Sequence, residues 1–194
     1  INLTLNRNYV DYNTQQNDSL LNPIFINNSL EKENTLKADL TYKLNKTIEL
    51  NAGVSGKLIN FEADVFVPEF TSTFGDSIPT TDLNADENYN KLAAYTNFGF
   101  LFFDKLNLNL GIRADYFSPT TSKTFISPRF STSYRLTDIT SLTFSTGIYH
   151  QAPSYIWLVG DKVNLELKNI RVNQFVLGVD QYFSADALFR IEGF

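Results

Sequence analysis

Among the 194 residues, 16 basic and 21 acidic side chains give a formal net charge of −5. This balance argues against a nucleic-acid binder, because such proteins present a basic surface. Cysteine is absent and His150 is the single histidine, which leaves no disulfide framework, no thiolate chemistry and no histidine-rich metal site. No apolar run approaches the roughly 18 residues of a spanning helix, and the first ten residues, which alternate like a strand, contain no recognisable signal peptide.

Polar and apolar residues alternate with a period of two along most of the chain, and this pattern predicts about nine β-strands. In chain order, the predicted strands lie within 1–6, 36–44, 48–55, 92–102, 106–116, 127–135, 140–151, 175–179 and 187–192. The fifth strand is the clearest, since Leu108, Leu110 and Ile112 occupy one face and Asn109 and Arg113 the other. Helical periodicity is weak throughout, so the sequence predicts an all-β protein.

The connections between these strands alternate between short and long. Tight turns are predicted near Asn45, Asp104, Asp138 and Ala185. Longer polar connections are predicted over 13–33, 68–88, 118–124 and 153–171. An antiparallel up-and-down transmembrane β-barrel has this order, with short periplasmic turns and longer extracellular loops. Several strands also reach the roughly 9 to 11 residues that cross a bilayer, whereas soluble strands are most often about 5 or 6 residues long.

Aromatic and charged residues occupy opposite faces of the predicted strands. The aromatic residues Tyr42, Phe102, Tyr134 and Phe189 lie on the apolar face close to the tight turns, as in an interfacial girdle. The polar face is predicted to meet a lumen, because an ion in hydrocarbon is costly. The lumen-facing or plug-facing candidates are Arg113, Asp115, Arg129 and Arg135. They would contact a plug, or pair within the wall, as Arg113 could with Asp115.

Two other architectures fit part of the pattern. A soluble β-sandwich also buries one face of each strand, and a complete small outer-membrane protein of 8 or 10 strands could have a structural or adhesive role. Nine strands is an odd number, whereas single-chain bacterial barrels have even numbers. The chain also begins and ends inside predicted strands. These features favour residues 1–194 as one partial barrel domain.

Three segments resemble TonB-dependent outer-membrane receptors of Bacteroidetes-like bacteria. They are YNKLAAYTNFGFLFFDKLNLNLGIRADYFS, SPRFSTSYRLTDITSLTFSTGIYHQAPS and VNQFVLGVDQYFSADALFRIEGF, in that order from Tyr89 to Phe194. The resemblance implies a middle portion of a 22-stranded barrel in the bacterial outer membrane, without its plug domain. It further implies import of a siderophore, vitamin or oligosaccharide, driven by the TonB complex through a missing N-terminal part. Expected partners are therefore outer-membrane lipid, the plug of the full-length chain and a small-molecule or oligosaccharide ligand.

Candidate binding residues cluster where the seventh strand ends. Tyr149 and Gln151 close that strand, and Tyr155 and Trp157 open the connection after it, where they could stack on a ligand or anchor at the interface. A second candidate is the acidic run that contains Asp82, Asn84 and Asp86, whose spacing resembles a calcium loop without its glycine and bidentate glutamate. A solvated loop is the alternative there. No catalytic set of residues is recognised, and no cofactor or enzymatic activity is predicted.

Overall fold

The computed structural model describes residues 1–184 and 187–194, with the exception of the Ile78 side chain. Nine strands form one antiparallel sheet in which spatial order follows chain order. They are β1 (Asn2–Asn17), β2 (Pro23–Lys43), β3 (Ile48–Val67), β6 (Thr81–Phe102), β7 (Leu106–Phe117), β8 (Thr124–Arg135), β9 (Thr140–Gln151), β10 (Ile170–Ser184) and β11 (Ala187–Gly193). A two-stranded hairpin, β4 (Phe70–Thr71) and β5 (Ser77–Ile78), joins β3 to β6, and helix α1 (Tyr155–Gly160) and a 3₁₀ turn (Lys162–Glu166) join β9 to β10.

The short connections lie at one end of the sheet, which we call the turn end, and the long ones at the loop end. The predicted turns near Asn45, Asp104 and Asp138 are confirmed, and the one near Ala185 lies outside the described residues. The Asn45 side chain accepts hydrogen bonds from the backbone N–H groups of Thr47 and Ile48, both at 2.8 Å. Phe103 and Asp104 have φ of 52° and 55°, the left-handed pair that tight hairpin turns require.

Two of the predicted long connections are too long, the first over most of its length and the second at its end, over 81–88. The connection between β1 and β2 is residues 18–22 rather than 13–33, and β6 begins at Thr81, within the predicted loop 68–88. The strands β2, β3 and β6 are therefore 20 to 22 residues long, about twice the length that crosses a bilayer. The predicted connection 118–124 is confirmed, except that its last residue opens β8.

The two misassignments have different causes: over 13–33 both faces of β1 and β2 are largely polar, so no alternation marks the strands, whereas over 68–88 the polarity of the faces of β3 and β6 reverses. We call the face that carries Leu110 the outer face and the face that carries Arg113 the inner face. On β3 the outer face is apolar as far as Leu58 and continues with Asn60, Glu62 and Asp64, while the inner face changes to Ile59, Phe61 and Ala63. A strand that is predicted from one continuous apolar face therefore ends at this reversal, although its backbone pairing with the neighbouring strands continues.

The outer face of the described sheet is uncovered. Leu110 is 50% exposed and Leu177 is 62% exposed, and the only other sheet in the described ranges is the β4–β5 hairpin. A soluble sandwich would bury these side chains between two sheets, so that interpretation is wrong. No helix in the described part of the chain is long and apolar enough to cross a membrane. The sheet is also open, because its edge strands β1 and β11 each have a single neighbour among the described strands.

Candidate ligand-binding face

The connection between β9 and β10 folds back over the inner face of the sheet. We call residues 152–169 the inner strap. The first residue of helix α1, Tyr155, already lies over strands that are not neighbours of β9, because its ring packs against Phe61 on β3 with ring centroids 5.7 Å apart. Leu158, one turn further on, is 2% exposed. The strap and the wall together form the buried cluster of the described chain: Ile59, Phe61, Ala63, Tyr89, Phe117, Tyr155 and Leu158.

Tyr155 is the centre of this cluster. Its ring stacks on Tyr89 at 5.4 Å and lies 6.1 Å from Phe117, and the residue is 6% exposed. Burial raises the pKa of its hydroxyl, and the nearby Glu31 carboxylate adds to this effect. The hydroxyl has no hydrogen-bond partner among the described residues. Tyr155 therefore anchors the strap to the wall, and the ligand contact predicted for it would require the strap to move.

The other three predicted ligand contacts lie at the same end of the sheet and are more accessible. The guanidinium carbon of Arg129 lies 4.7 Å from the centroid of the Tyr149 ring. Gln151 is exposed at the last position of β9, opposite Ile170. Trp157 is 59% exposed on α1. The structure thus brings the candidates together around the strap, and their contact with a ligand stays a prediction.

Arg113 is paired within the wall. Its Nε lies 2.9 Å and its Nη2 2.7 Å from the Asp115 carboxylate two positions along the same face of β7. On the neighbouring strands, the Tyr95 hydroxyl donates to Asp39 at 2.6 Å, and Lys37 forms an ion pair with the same carboxylate at 2.9 Å. The charged side chains on this part of the inner face are therefore paired with one another.

Arg129 and Arg135, the other two arginines predicted to face the lumen, lie at different positions along β8. Arg129 is opposite Gly147, and a Cβ at Gly147 would lie 3.2 Å from the Arg129 side chain, so the glycine makes room for it. Arg135 is exposed at the turn end, where its backbone N–H donates to the Lys105 carbonyl at 2.9 Å. Contact of Arg113, Arg129 or Arg135 with a plug stays a prediction.

The calcium site considered as a weak candidate at Asp82, Asn84 and Asp86 does not fit the geometry of the described strand. These residues occupy alternate positions in β6, so their Cα atoms spread over roughly 13 Å of extended chain at about 3.3 Å per residue. A calcium ion needs its oxygen ligands within about 2.6 Å. Asp86 instead accepts a hydrogen bond from the Asn60 side chain at 2.6 Å. No group of three or more acidic or histidine side chains in the described ranges is arranged to hold a metal.

Below the strap, the inner face contains a pocket that sequence reasoning missed. Its volume is about 210 Å³. The side chains that line it include Lys57, Lys91, Arg113, Asp115, Phe117, Phe125 and His150. Nothing in the local sequence places Lys91 beside two aromatic rings that come from β7 and from the strap. His150 makes a hydrogen bond to Ser127 through Nδ1 at 2.9 Å.

An extended antiparallel sheet with an uncovered apolar outer face and a charged inner face defines the wall of a transmembrane β-barrel. The chain belongs to the outer membrane protein beta-barrel family, whose model matches residues 2–134. This membership assigns it to the bacterial outer membrane. No curated protein matches the chain significantly in sequence.

Solved structures extend the fold assignment beyond the family match. FpvA of P. aeruginosa, bound to heterologous pyoverdines, is 17% identical over 94% of this chain with a TM-score of 0.69, and the match spans 28% of FpvA. The copper transporter OprC is 15% identical over 92% of this chain and 32% of its own, with a TM-score of 0.67. The siderophore receptor PiuA from Acinetobacter baumannii is 14% identical over 95% and 33%, with a TM-score of 0.57. The predicted likeness to receptor barrels is thus confirmed at the level of fold.

Proposed function

We propose that the chain is part of the barrel wall of a TonB-dependent outer-membrane receptor that imports a scarce nutrient, such as a siderophore, a vitamin or an oligosaccharide. In this proposal the complete barrel has 22 strands and encloses a plug domain from the same full-length chain. Ligand binds from the extracellular side, and the TonB complex supplies energy through a segment that precedes the plug.

The single observation that carries the proposal is the pair of open edges at β1 and β11. Hydrocarbon offers no partner for backbone N–H and C=O groups, so a sheet that crosses the bilayer has to close on itself. The open edges therefore support the presence of further strands that complete the sheet. The match to the siderophore receptor PiuA, which spans 33% of that chain, supports a protein larger than the described sheet.

The inner strap adds functional support. A barrel with a purely structural role does not require a connection that folds inward and covers the inner face. Here the strap packs on the inner-face residues Ile59, Phe61 and Ala63, at the end of the sheet where Tyr149 and Trp157 are the proposed ligand contacts. Such an arrangement suits selective entry of a solute.

The proposal is tested by deleting the gene for the full-length protein in its host. Growth is compared with limiting ferric siderophore, cobalamin or oligosaccharide as the single source of the nutrient. We expect growth to fail on one class of nutrient and to return with an intact copy of the gene. A copy that lacks the segment preceding the plug is the matched control and should not restore growth. Full restoration by that copy, or normal growth on every nutrient, would favour a structural or adhesive barrel instead.

A further inference from the structure

Two lysines face each other across neighbouring strands of the inner face. Lys57 on β3 is the direct register partner of Lys91 on β6. Like charges in such positions repel each other and destabilise a sheet. Lys57 is balanced by Glu33 on β2, at 2.7 Å. Lys91 has no carboxylate within ion-pair distance in the described part of the chain.

Lys91 is instead held by aromatic rings. Its Nζ lies 4.6 Å from the centroid of the Tyr155 ring and 4.9 Å from that of Phe117. These cation–π contacts hold the ammonium at the boundary between the strap and the wall. They fix its position without neutralising its charge, so one face of the ammonium remains able to donate hydrogen bonds.

The positively charged Lys91 side chain lines the pocket beneath the strap. Of the three positive side chains in its lining, Lys57 is paired with Glu33 and Arg113 with Asp115, so Lys91 is the one without an ion pair among the described residues. The carboxylates of Glu31 and Glu33 belong to β2 and do not line the pocket.

The rest of the lining restricts the kind of anion. Arg113 has the Nε–Nη2 edge of its guanidinium engaged by Asp115, which offsets its charge. Phe125 and His150 contribute rings 5.1 Å apart. A pocket of about 210 Å³ is smaller than the roughly 300 to 1,000 Å³ that enclose a whole drug-sized ligand. It therefore suits one group of a larger molecule.

We propose that this pocket binds a carboxylate of the ligand, with Lys91 as its main contact and an aromatic or apolar part of the ligand beside Phe125. The inference rests on the proposed function, because it assigns a subsite to the imported molecule. The ammonium of Lys91 then gains a carboxylate at ion-pair distance, whereas Glu31 and Glu33 interact with it only from further away. Binding also adds a contact beneath the strap and holds it closed.

The test uses the full-length protein in detergent and two matched probes, 4-bromobenzoate and the neutral 4-bromobenzamide. Isothermal titration calorimetry is expected to detect the benzoate and only much weaker binding of the amide. Lys91→Gln should weaken benzoate binding about tenfold or more, since a charge-assisted hydrogen bond is lost. Lys91→Arg should retain it. The control Lys105→Gln, in the tight turn between β6 and β7, should bind as the unaltered protein does. Equal binding of both probes, or unaltered binding by Lys91→Gln, would overturn the proposal.

A second experiment does not depend on any variant. In crystals of the unaltered protein soaked with 4-bromobenzoate, the anomalous signal of bromine is expected in the pocket between Phe117 and Phe125. A signal confined to other places would contradict the proposal. Neither experiment measures uptake, so a failure of the import proposal leaves these results intact, and a failure here leaves the growth test intact.

Discussion

The turn end and the loop end of the same strands have opposite polarity. At the turn end, β3 presents Leu50 and Val54 outward and Asn51 inward, whereas at the loop end it presents Glu62 outward and Phe61 inward. The first arrangement suits lipid outside and a polar lumen inside. The second suits water outside and the strap inside. Each face therefore takes the polarity of what it contacts, and one strand passes through both environments without a break.

The outer face of the sheet carries charged side chains at the loop end, as expected for a surface in contact with water. Lys32 and Glu62 form an ion pair there across β2 and β3, with both side chains partly exposed. An exposed pair of this kind contributes about 0 to 1 kcal/mol. The same two charges in hydrocarbon would be costly, so the bilayer has to end below this row of residues.

The largest effect is expected from the buried part of the strap. Leu158→Ala should weaken closure of the strap by about 2 to 5 kcal/mol, because the side chain is 2% exposed in the cluster. Limited trypsin digestion of the full-length protein should then cleave rapidly after Lys162, within the strap. Trp157→Ala is the control, since Trp157 is largely exposed, and its cleavage rate should stay near that of the unaltered protein. Equal rates for both variants would mean that the cluster does not hold the strap.

A charged side chain on the outer face at the turn end should destabilise the protein. Leu110→Arg is expected to lower the free energy of unfolding in lipid vesicles by about 2 to 4 kcal/mol, since Leu110 lies midway along β7 on the outer face. Asn109→Arg, one residue away on the inner face, should cost much less. Urea titration monitored by the electrophoretic shift of the folded barrel provides the measurement. A larger loss for Asn109→Arg would reverse the assignment of the two faces.

Gly53 is expected to be needed for the inner-face network. An added Cβ would lie 2.5 Å from the Tyr95 ring and 2.7 Å from the Asp39 carboxylate, so the ring would have to leave its 2.6 Å hydrogen bond. Gly53→Ala should therefore cost about 1 to 3 kcal/mol in the same unfolding assay. At Gly56 the nearest atom would be at 3.5 Å, an ordinary contact, so Gly56→Ala serves as the control. Equal costs at the two glycines would show that Tyr95 adapts freely.

The smallest effect is expected from Tyr155→Phe. This change removes a buried hydroxyl that has no partner among the described residues, so strap closure should change by less than about 1 kcal/mol. It should also remove a pH dependence. Because burial raises the pKa of Tyr155, the closed strap is favoured below the ordinary tyrosine pKa of about 10 and loses stability as the pH rises beyond it. Trypsin cleavage at pH 9 and pH 11 should differ more for the unaltered protein than for the variant.

Period-two alternation was sufficient to predict the fold at the turn end. On strands such as β7, Leu108 and Leu110 face lipid and Asn109 faces the lumen. The alternation of apolar and polar residues therefore continues along the whole strand and is visible in its own sequence. At the loop end the same rule failed, because the polarity of β3 and β6 reverses where the bilayer ends. The reversal depends on the membrane boundary and on the strap, and neither is encoded in the residues of those strands.

The candidate site was predicted only in part for a similar reason. Tyr149, Gln151, Tyr155 and Trp157 were found because they are consecutive around the end of β9. The pocket escaped prediction because Lys57, Lys91 and Phe125 come from three strands that register alone brings together. The run of inner-face apolar residues Ile59, Phe61, Ala63 and Val65 was the one local signal that something covers this face.

The central claim is that the outer face meets lipid at the turn end and water at the loop end. Since the chain contains no cysteine, single cysteines along β7 and β3 of the full-length protein can carry spin labels, whose collisions with lipid-soluble oxygen and with a water-soluble nickel chelate are compared. We predict oxygen access at positions 108, 110, 54 and 58, nickel access at 60 and 62, and protection from both at 59 and 61. Equal oxygen access at 58, 60 and 62, or nickel access at 108 and 110, would contradict the account.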